Sequence, residues 1–386
     1  MATPSRLVLA RKRRRMTLAS LSAAADISVR SLTAYENGHK QPSASNLAAL
    51  ASALHVPESF LTGPMAEEIP VEAVSFRALS KMTALDRDAA LSAGRVALLI
   101  NEWIEKRFRL PAANLPTFPH LTPEEAAERL RAEWGLGESP IPNVLHLLEA
   151  NGIRIFSLAT DCQDVDAYSF RHQGKPLIFL NTSKSGERGR FDAAHELGHL
   201  VLHSEHRIPH GIEAEEEAQA FASAFLMPRA DVLAHTVHNM TPEQILVAKR
   251  RWKVAAMALT YRLHSLGMLS DWKYRVTAKR LSQLGYRRSE PNGIPRETSQ
   301  VIRKVFRLLV HDAGGWRPLL EELQLSREEL NKHVFGLVPV ALTGGGQRTP
   351  ARPTLELVRP GRPASRTTDR ETDDSYAADD SRASWL

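Results

Sequence analysis

Apolar positions recur at helical spacing along most of the chain, and alternate with polar ones only over a short interval near the middle. The pattern predicts a mainly helical protein with one small sheet. Leu7, Leu9 and Ala10 interleave with basic residues from Arg6 to Arg15, which reads as a basic amphipathic helix. Thr17 caps a second helix over Leu18 to Ala25, and Ser28 caps a third that runs to about Glu36 and ends at Asn37-Gly38. Pro42 and Ser43 open a fourth, with Leu47, Leu50, Ala51 and Leu54 on one face. Thr83 opens a longer run through Leu98, Leu99, Trp103 and Phe108. Thr122-Pro123-Glu124-Glu125 starts another helix, and Pro142 opens one over Asn143 to Glu149. Ile153 to Leu158 alternates as a strand, and Ala167 to Arg171 and Leu177 to Leu180 form a hairpin around Gln173-Gly174-Lys175. Helical spacing then returns around His195, over Glu215 to Leu226, and in a helical pair over 241–265 with Trp252, Met257, Leu259 and Tyr261 in its core. Residues 266–340 alternate basic loops with two or three helices, and from Gly344 a glycine-, proline-, arginine- and aspartate-rich tail is expected to be disordered.

Composition narrows this only a little. The 386 residues suffice for two or three domains, and 43% hydrophobic with 24% charged residues is ordinary for a globular chain. No apolar run approaches the roughly 18 residues of a membrane span, and no apolar segment follows the basic N-terminus, so no membrane and a cytoplasmic location are expected. Cys162 stands alone among Asp161 and Asp164, which suits a reducing compartment and an inert thiol. Charge is unevenly distributed. The net charge is only +6, but Arg6, Arg11, Lys12, Arg13, Arg14 and Arg15 lie together with no acid among them. Beside short helices joined by a tight polar turn, such a cluster is a footprint for phosphate, so Arg11, Arg13 and Arg14 are candidate DNA contacts.

The order TLASLSAAADISVRSLTAYENG from Thr17 closely resembles the lambda-repressor-like (XRE) helix-turn-helix family, over residues 5–62, with Ser28, Leu32 and Tyr35-Glu36-Asn37-Gly38 the most specific positions. The resemblance implies binding to double-stranded DNA, with Val29, Arg30, Ser31, Thr33 and Ala34 on or near the helix that faces the major groove. The family often opens its second helix with glutamine. Leu18 stands there, and the contact that glutamine makes lacks its usual side chain.

The strongest chemical signal is His195-Glu196-Leu197-Gly198-His199 within GRFDAAHELGHLVLH. Two histidines four apart on a helix share one face, so they offer two nitrogens to one metal ion, while Glu196 is placed to take a proton from an activated water. Candidates for a third ligand are His203, His206, His210, Glu213, Glu215, Glu216 and Glu217. Leu202 and Glu205 stand where a metzincin has glycine and a third histidine, which excludes that class.

HELGHLVLH followed by EEEAQAFASAFLMP resembles the ImmA/IrrE family of bacterial zinc metallopeptidases, from about 120 to 280. The resemblance implies Zn2+, with Glu215 as third ligand and Gln219 at an amide position. One helical turn separates the two, so Gln219 is expected to hydrogen-bond the outer nitrogen of a ligand histidine. Glu216 and Glu217 are expected to face solvent, and His203, one turn beyond His199, to stand behind the ligands or substitute for one. The activity implied is a regulatory endopeptidase that cuts a repressor or antitoxin-like protein under stress or mobile-element control.

These readings combine into a mainly α chain, α+β overall, with an N-terminal helix-turn-helix bundle and a gluzincin-like metallopeptidase domain carrying a small sheet. The expected divisions are the DNA-binding domain at 1–64, a helical connector at 65–118, the peptidase domain at 119–285, a C-terminal helical region at 286–340 and the tail at 341–386; a homodimer is possible. The rival reading is a helix-turn-helix transcriptional regulator whose metal site is structural or sensory, without proteolysis. A structural site closes its fourth position, and His203 is the residue available for that.

Overall fold

The computed structural model describes residues 1–67, 69, 83–158, 167–203, 211–287, 289–312 and 317–338. Cys162, His206, His210 and the tail lie outside the described residues. Five short helices open the chain: α1 (Pro4–Arg13), α2 (Leu18–Ala25), α3 (Val29–Glu36), α4 (Ala44–Leu54) and α5 (Glu58–Leu61). Thr17, Ser28 and Ser43 each accept a hydrogen bond from the backbone N–H three residues on, which satisfies a donor that the first helical turn would leave unpaired. Asp26 takes a left-handed conformation (φ 53°) between α2 and α3, and the buried Ile27 turns the chain there. Leu21, Leu32, Tyr35, Leu50 and Leu54 close the bundle core.

Helix α6 (Ala84–Glu105) lies in the segment read as a connector, yet it is buried along most of its 22 residues. One side packs on α1; another meets the aromatic face of the sheet, where Phe156, Tyr168, Phe170 and Phe179 stack, the closest ring centroids 4.6 Å apart. Tyr168 Oη donates to the Ala90 carbonyl at 3.0 Å. A Cβ on Gly94 would sit 2.4 Å from that Oη, so the glycine, about 1 kcal/mol poorer than alanine in a helix, is what admits the tyrosine.

The central part comprises α7 (Pro123–Glu133), α8 (Val144–Ala150), β1 (Arg154–Ser157), β2 (Ala167–His172), β3 (Lys175–Leu180), α9 (Gly186–Leu202), α10 (Ile212–Leu226), α11 (Arg229–His235), α12 (Pro242–Trp252), α13 (Ala256–Ser265) and α14 (Asp271–Gln283). The sheet order is β1-β3-β2, with β1 parallel to β3 and β2 antiparallel to it. Gln173 and Gly174, both at positive φ, make the two-residue turn between β2 and β3. Strand alternation divides the sheet between two cores. Tyr168, Phe170 and Phe179 face α6, whereas Ala167, Ile178 and Leu180 face Ala193, Leu197 and Val201 of α9. Trp252 and Leu259 are buried as expected of the 241–265 pair; Met257 and Tyr261 are half-buried.

Beyond α14 come α15 (Gln300–Asp312), α16 (Arg317–Leu323) and α17 (Arg327–His333). The stretch before α15 is tied to the central part by charge: Glu290 pairs with Lys249 at 2.8 Å, Glu297 binds Arg190 and the Val144 N–H, and Glu149 accepts from Ser299. The chain then returns to its beginning, and Glu329 of α17 accepts from Arg13 Nε (2.8 Å) and Arg14 Nη1 (3.1 Å).

That return also gives the basic cluster partners within the chain. Arg11 is bound to both oxygens of Glu36 at 2.6 and 2.7 Å, Lys12 pairs with Asp88 at 3.3 Å and Arg15 with Asp86 at 3.0 Å. Arg13 is only 4% exposed. Arg11, Arg13 and Arg14 are taken up in ion pairs within the chain, because tertiary contacts bring acids to them from α3 and α17, as they bring acids of α6 to Lys12 and Arg15. Glu329, held well below the usual carboxylate range against its own burial by His333, Arg13 and Arg14, anchors this contact. Glu329→Ala should destabilise the protein by about 3–5 kcal/mol, since it strands a buried arginine, while Asp86→Ala at a more exposed pair should change it by less than about 1 kcal/mol. Urea midpoints of the two variants check this. The Glu329 contribution is present above about 4.5, the ordinary carboxylate value, and is lost as pH falls below it toward the depressed native value.

Candidate metal centre and DNA-binding face

Ser185 caps α9 by accepting from the Arg188 N–H, and the helix presents His195 and His199 on one face. At Gly198, between them, α10 lies close against the backbone. A Cβ there would lie 3.1 Å from Phe221 Cδ1 and 3.2 Å from the Ala218 Cα and carbonyl oxygen. With Ala214, Ala218 and Ala222 lining its buried side, α10 rests directly on α9, and Glu215, one residue after Ala214, reaches the histidines.

His195 Nε2 and His199 Nε2 are 3.1 Å apart, and Glu215 places one oxygen 3.3 Å from the first and the other 3.5 Å from the second. A tetrahedral site with ligands about 2.0–2.1 Å from the metal has ligand–ligand edges of roughly 3.3–3.4 Å. The histidine pair at 3.1 Å is close to that value, each carboxylate oxygen lies at a similar distance from the imidazole it meets, and one donor atom from each residue falls within 4.8 Å of the other two. Two imidazole nitrogens and a carboxylate thus make a donor set that fits a metal ion, and it is the one such group of three among the described residues.

The electrostatics follow from burial and from this convergence. Burial pulls His199 down to about 4, which keeps its imidazole neutral. His195 is also pulled down by burial, but its hydrogen bond to Glu215 and the charges of Glu196, Glu215 and Asp192 outweigh this and raise it. Burial pushes Glu215 up, yet the two histidine hydrogen bonds outweigh it and hold the carboxyl well below its ordinary range. Glu196 is 3% exposed, and burial lifts it to about 7 against the pull of His195 and of a hydrogen bond from Ser169.

Ser169 escapes the sequence reading. Its Oγ, on β2, donates to Glu196 Oε2 at 2.7 Å. Strand alternation is the one signal that could have found it: Tyr168 faces α6, so its neighbour must face the motif helix. Gln219 differs from expectation. It is exposed, and among the described residues no hydrogen bond joins it to a ligand histidine, because the rotation of α10 carries it off the buried side. The outer nitrogen of His199 is met instead by His203 Nδ1 at 2.9 Å. Glu217, expected in solvent, bonds His203 Nε2 at 2.9 Å, while Glu213 and Glu216 are exposed.

On α3, Val29, Arg30 and Thr33 are exposed, and Ser31 and Ala34 are half-buried, so all five keep some access to solvent. Leu18 packs against the bundle core.

Residues 148–264 match the family of the IrrE N-terminal-like domain, and residues 7–61 match the helix-turn-helix family. The chain joins a helix-turn-helix domain to an IrrE-like peptidase-family domain. The IrrE-like match begins at the end of α8 and ends in α13, so it encloses the sheet, Ser169, the histidine motif and Glu215. No curated protein matches the chain. Among the described residues, no helix is long and apolar enough to cross a membrane.

Proposed function

We propose that this protein is a DNA-binding, zinc-dependent regulatory endopeptidase of the cytoplasm, and that it cuts a repressor or antitoxin-like protein. The observation that carries this reading is the convergence of His195, His199 and Glu215, one donor atom from each within 4.8 Å of the others, beside the buried carboxylate of Glu196. Two imidazoles and one carboxylate are a donor set that suits zinc, and His195, His199 and Glu215 would hold it. Zinc held there would act as a Lewis acid toward a water and toward a peptide carbonyl. Glu196 accepts the proton of the attacking water and delivers it to the leaving amine. A carboxylate lifted by burial to about 7 suits both halves of that transfer near neutral pH. Ser169 Oγ holds one oxygen of Glu196 and leaves the other for the proton. His195, adjacent to it in the chain, and His199, three residues on, would hold the ion that activates that water.

DNA recognition is assigned to the accessible face of α3. Because the cluster on α1 is already paired within the chain, Arg30 on α3 carries more of the contact than a cluster open to phosphate would have left it. Full-length protein should bind duplex DNA with affinity that falls as salt rises, and Arg30→Ala should relax sequence preference. Electrophoretic mobility shifts on host operator fragments check both; salt-independent binding would contradict the assignment.

The functional test compares two variants in one reporter strain. Glu196→Gln leaves all three ligands in place, and His199→Ala removes one. Equal loss of cellular output in both supports proteolysis. Loss in His199→Ala alone means that the metal is structural or sensory and overturns the peptidase reading.

A further inference from the structure

We infer that His203 and Glu217 form an outer relay that fixes His199 in the one tautomer able to bind metal, an inference that rests on the metal reading above. His199 Nε2 points to the ligand centre, where it must present a lone pair. Its only proton therefore sits on Nδ1, which lies 2.9 Å from His203 Nδ1. That proton needs an acceptor, so His203 must carry its own proton on Nε2. Nε2 lies 2.9 Å from Glu217 Oε2, a carboxylate that only accepts. Each bond thus dictates the next: Glu217 sets the tautomer of His203, and His203 sets the tautomer and ring plane of His199.

The placement supports an orienting role over a ligating one. His203 is the C-cap of α9 with a side chain 8% exposed, and its backbone N–H donates to the His199 carbonyl at 3.1 Å, so main chain and ring are both tied to the residue it orients. Its nitrogens face the outer side of His199 and Glu217, away from the convergence of His195, His199 and Glu215. Glu217 stands on α10 two residues after Glu215, so one helix supplies the ligand on one side of the histidines and the terminal acceptor on the other. A neutral imidazole would be a weaker orienting group than a carboxylate by itself; Glu217 at its far end restores the polarity that raises ligand basicity.

The test titrates Zn2+ into the metal-free full-length protein against a chromophoric chelator. His203→Ala should weaken zinc binding by about 10–100-fold, the range found when an outer partner of a ligand histidine is removed. His203→Asn places an amide oxygen where Nδ1 stood and should recover most of that loss, and Glu217→Ala should lose less than His203→Ala. Replacing Zn2+ with Co2+ should give altered visible bands in His203→Ala and near wild-type bands in His203→Asn. Wild-type affinity in His203→Ala overturns the relay, and equal weakening in the alanine and asparagine variants reduces His203 to a packing group. If the wild-type protein takes up no zinc while its fold is intact, the metal reading itself fails, an outcome distinct from either.

Discussion

Glu215→Ala should leave the protein without stoichiometric zinc, whereas Glu217→Ala should keep it. Glu215 is the only anion of the three donors, and its two oxygens reach both histidines, at 3.3 and 3.5 Å. Without it, two neutral imidazoles remain, one short of the three protein ligands of a catalytic zinc site. The affinity lost should exceed the ~10–100-fold typical of an outer partner. Zinc uptake by the wild-type protein should also weaken as pH falls, because each histidine must be deprotonated to bind. His195 is the residue that sets where this begins: Glu215 and Glu196 raise it above the ordinary imidazole value of 6.5, so protons compete there first. His199, drawn down to about 4, does not compete until the solution is strongly acid. Metal analysis of the dialysed variants, and chelator competition across pH, check both statements. Zinc retained by Glu215→Ala and lost by Glu217→Ala would put the register of α10 wrong by part of a turn.

Glu196→Gln should keep zinc and lose peptide cleavage by roughly a hundredfold or more. The amide matches the carboxylate in size, and its oxygen can still accept from Ser169 Oγ, so neither the packing nor the three ligands are disturbed. It cannot take a proton from water. DNA binding should be unchanged, since Glu196 is buried in α9 and the exchange removes neither a ligand nor any residue of α3. Zinc content, cleavage rate and a mobility shift measured on the same preparation separate these effects.

What the sequence makes legible is what depends on near neighbours. Thr17, Ser28, Ser43, Thr83 and Thr122 announce helix starts because a cap acts on a backbone N–H three residues away. Gln173-Gly174 announces the β2–β3 hairpin in the same way. The parallel pairing of β1 with β3 joins strands far apart in sequence and leaves no such mark. Helix α6 reads as a connector because its apolar stripe names no partner; the structure gives it the aromatic face of the sheet on one side and α1 on another. The basic cluster on α1 reads as a phosphate footprint because Glu36, Asp86, Asp88 and Glu329 are distant in sequence. At the metal centre the helical repeat indicates that His195 and His199 share a face. Which residue stands behind His199 depends on the rotation of α10 about its contact at Gly198, and that rotation presents Glu217 through His203 and turns Gln219 outward.

Metal-dependent endopeptidase activity is read out in cleavage itself. The zinc-loaded full-length protein is incubated with the soluble proteins of its host, beside an equal amount of zinc-loaded Glu196→Gln, and the mixtures are compared by mass spectrometry for new protein termini. One or a few discrete new termini are expected with the wild type, absent with Glu196→Gln and absent when the metal is chelated. The same termini with Glu196→Gln, or none with wild-type protein shown to hold zinc, would contradict that activity.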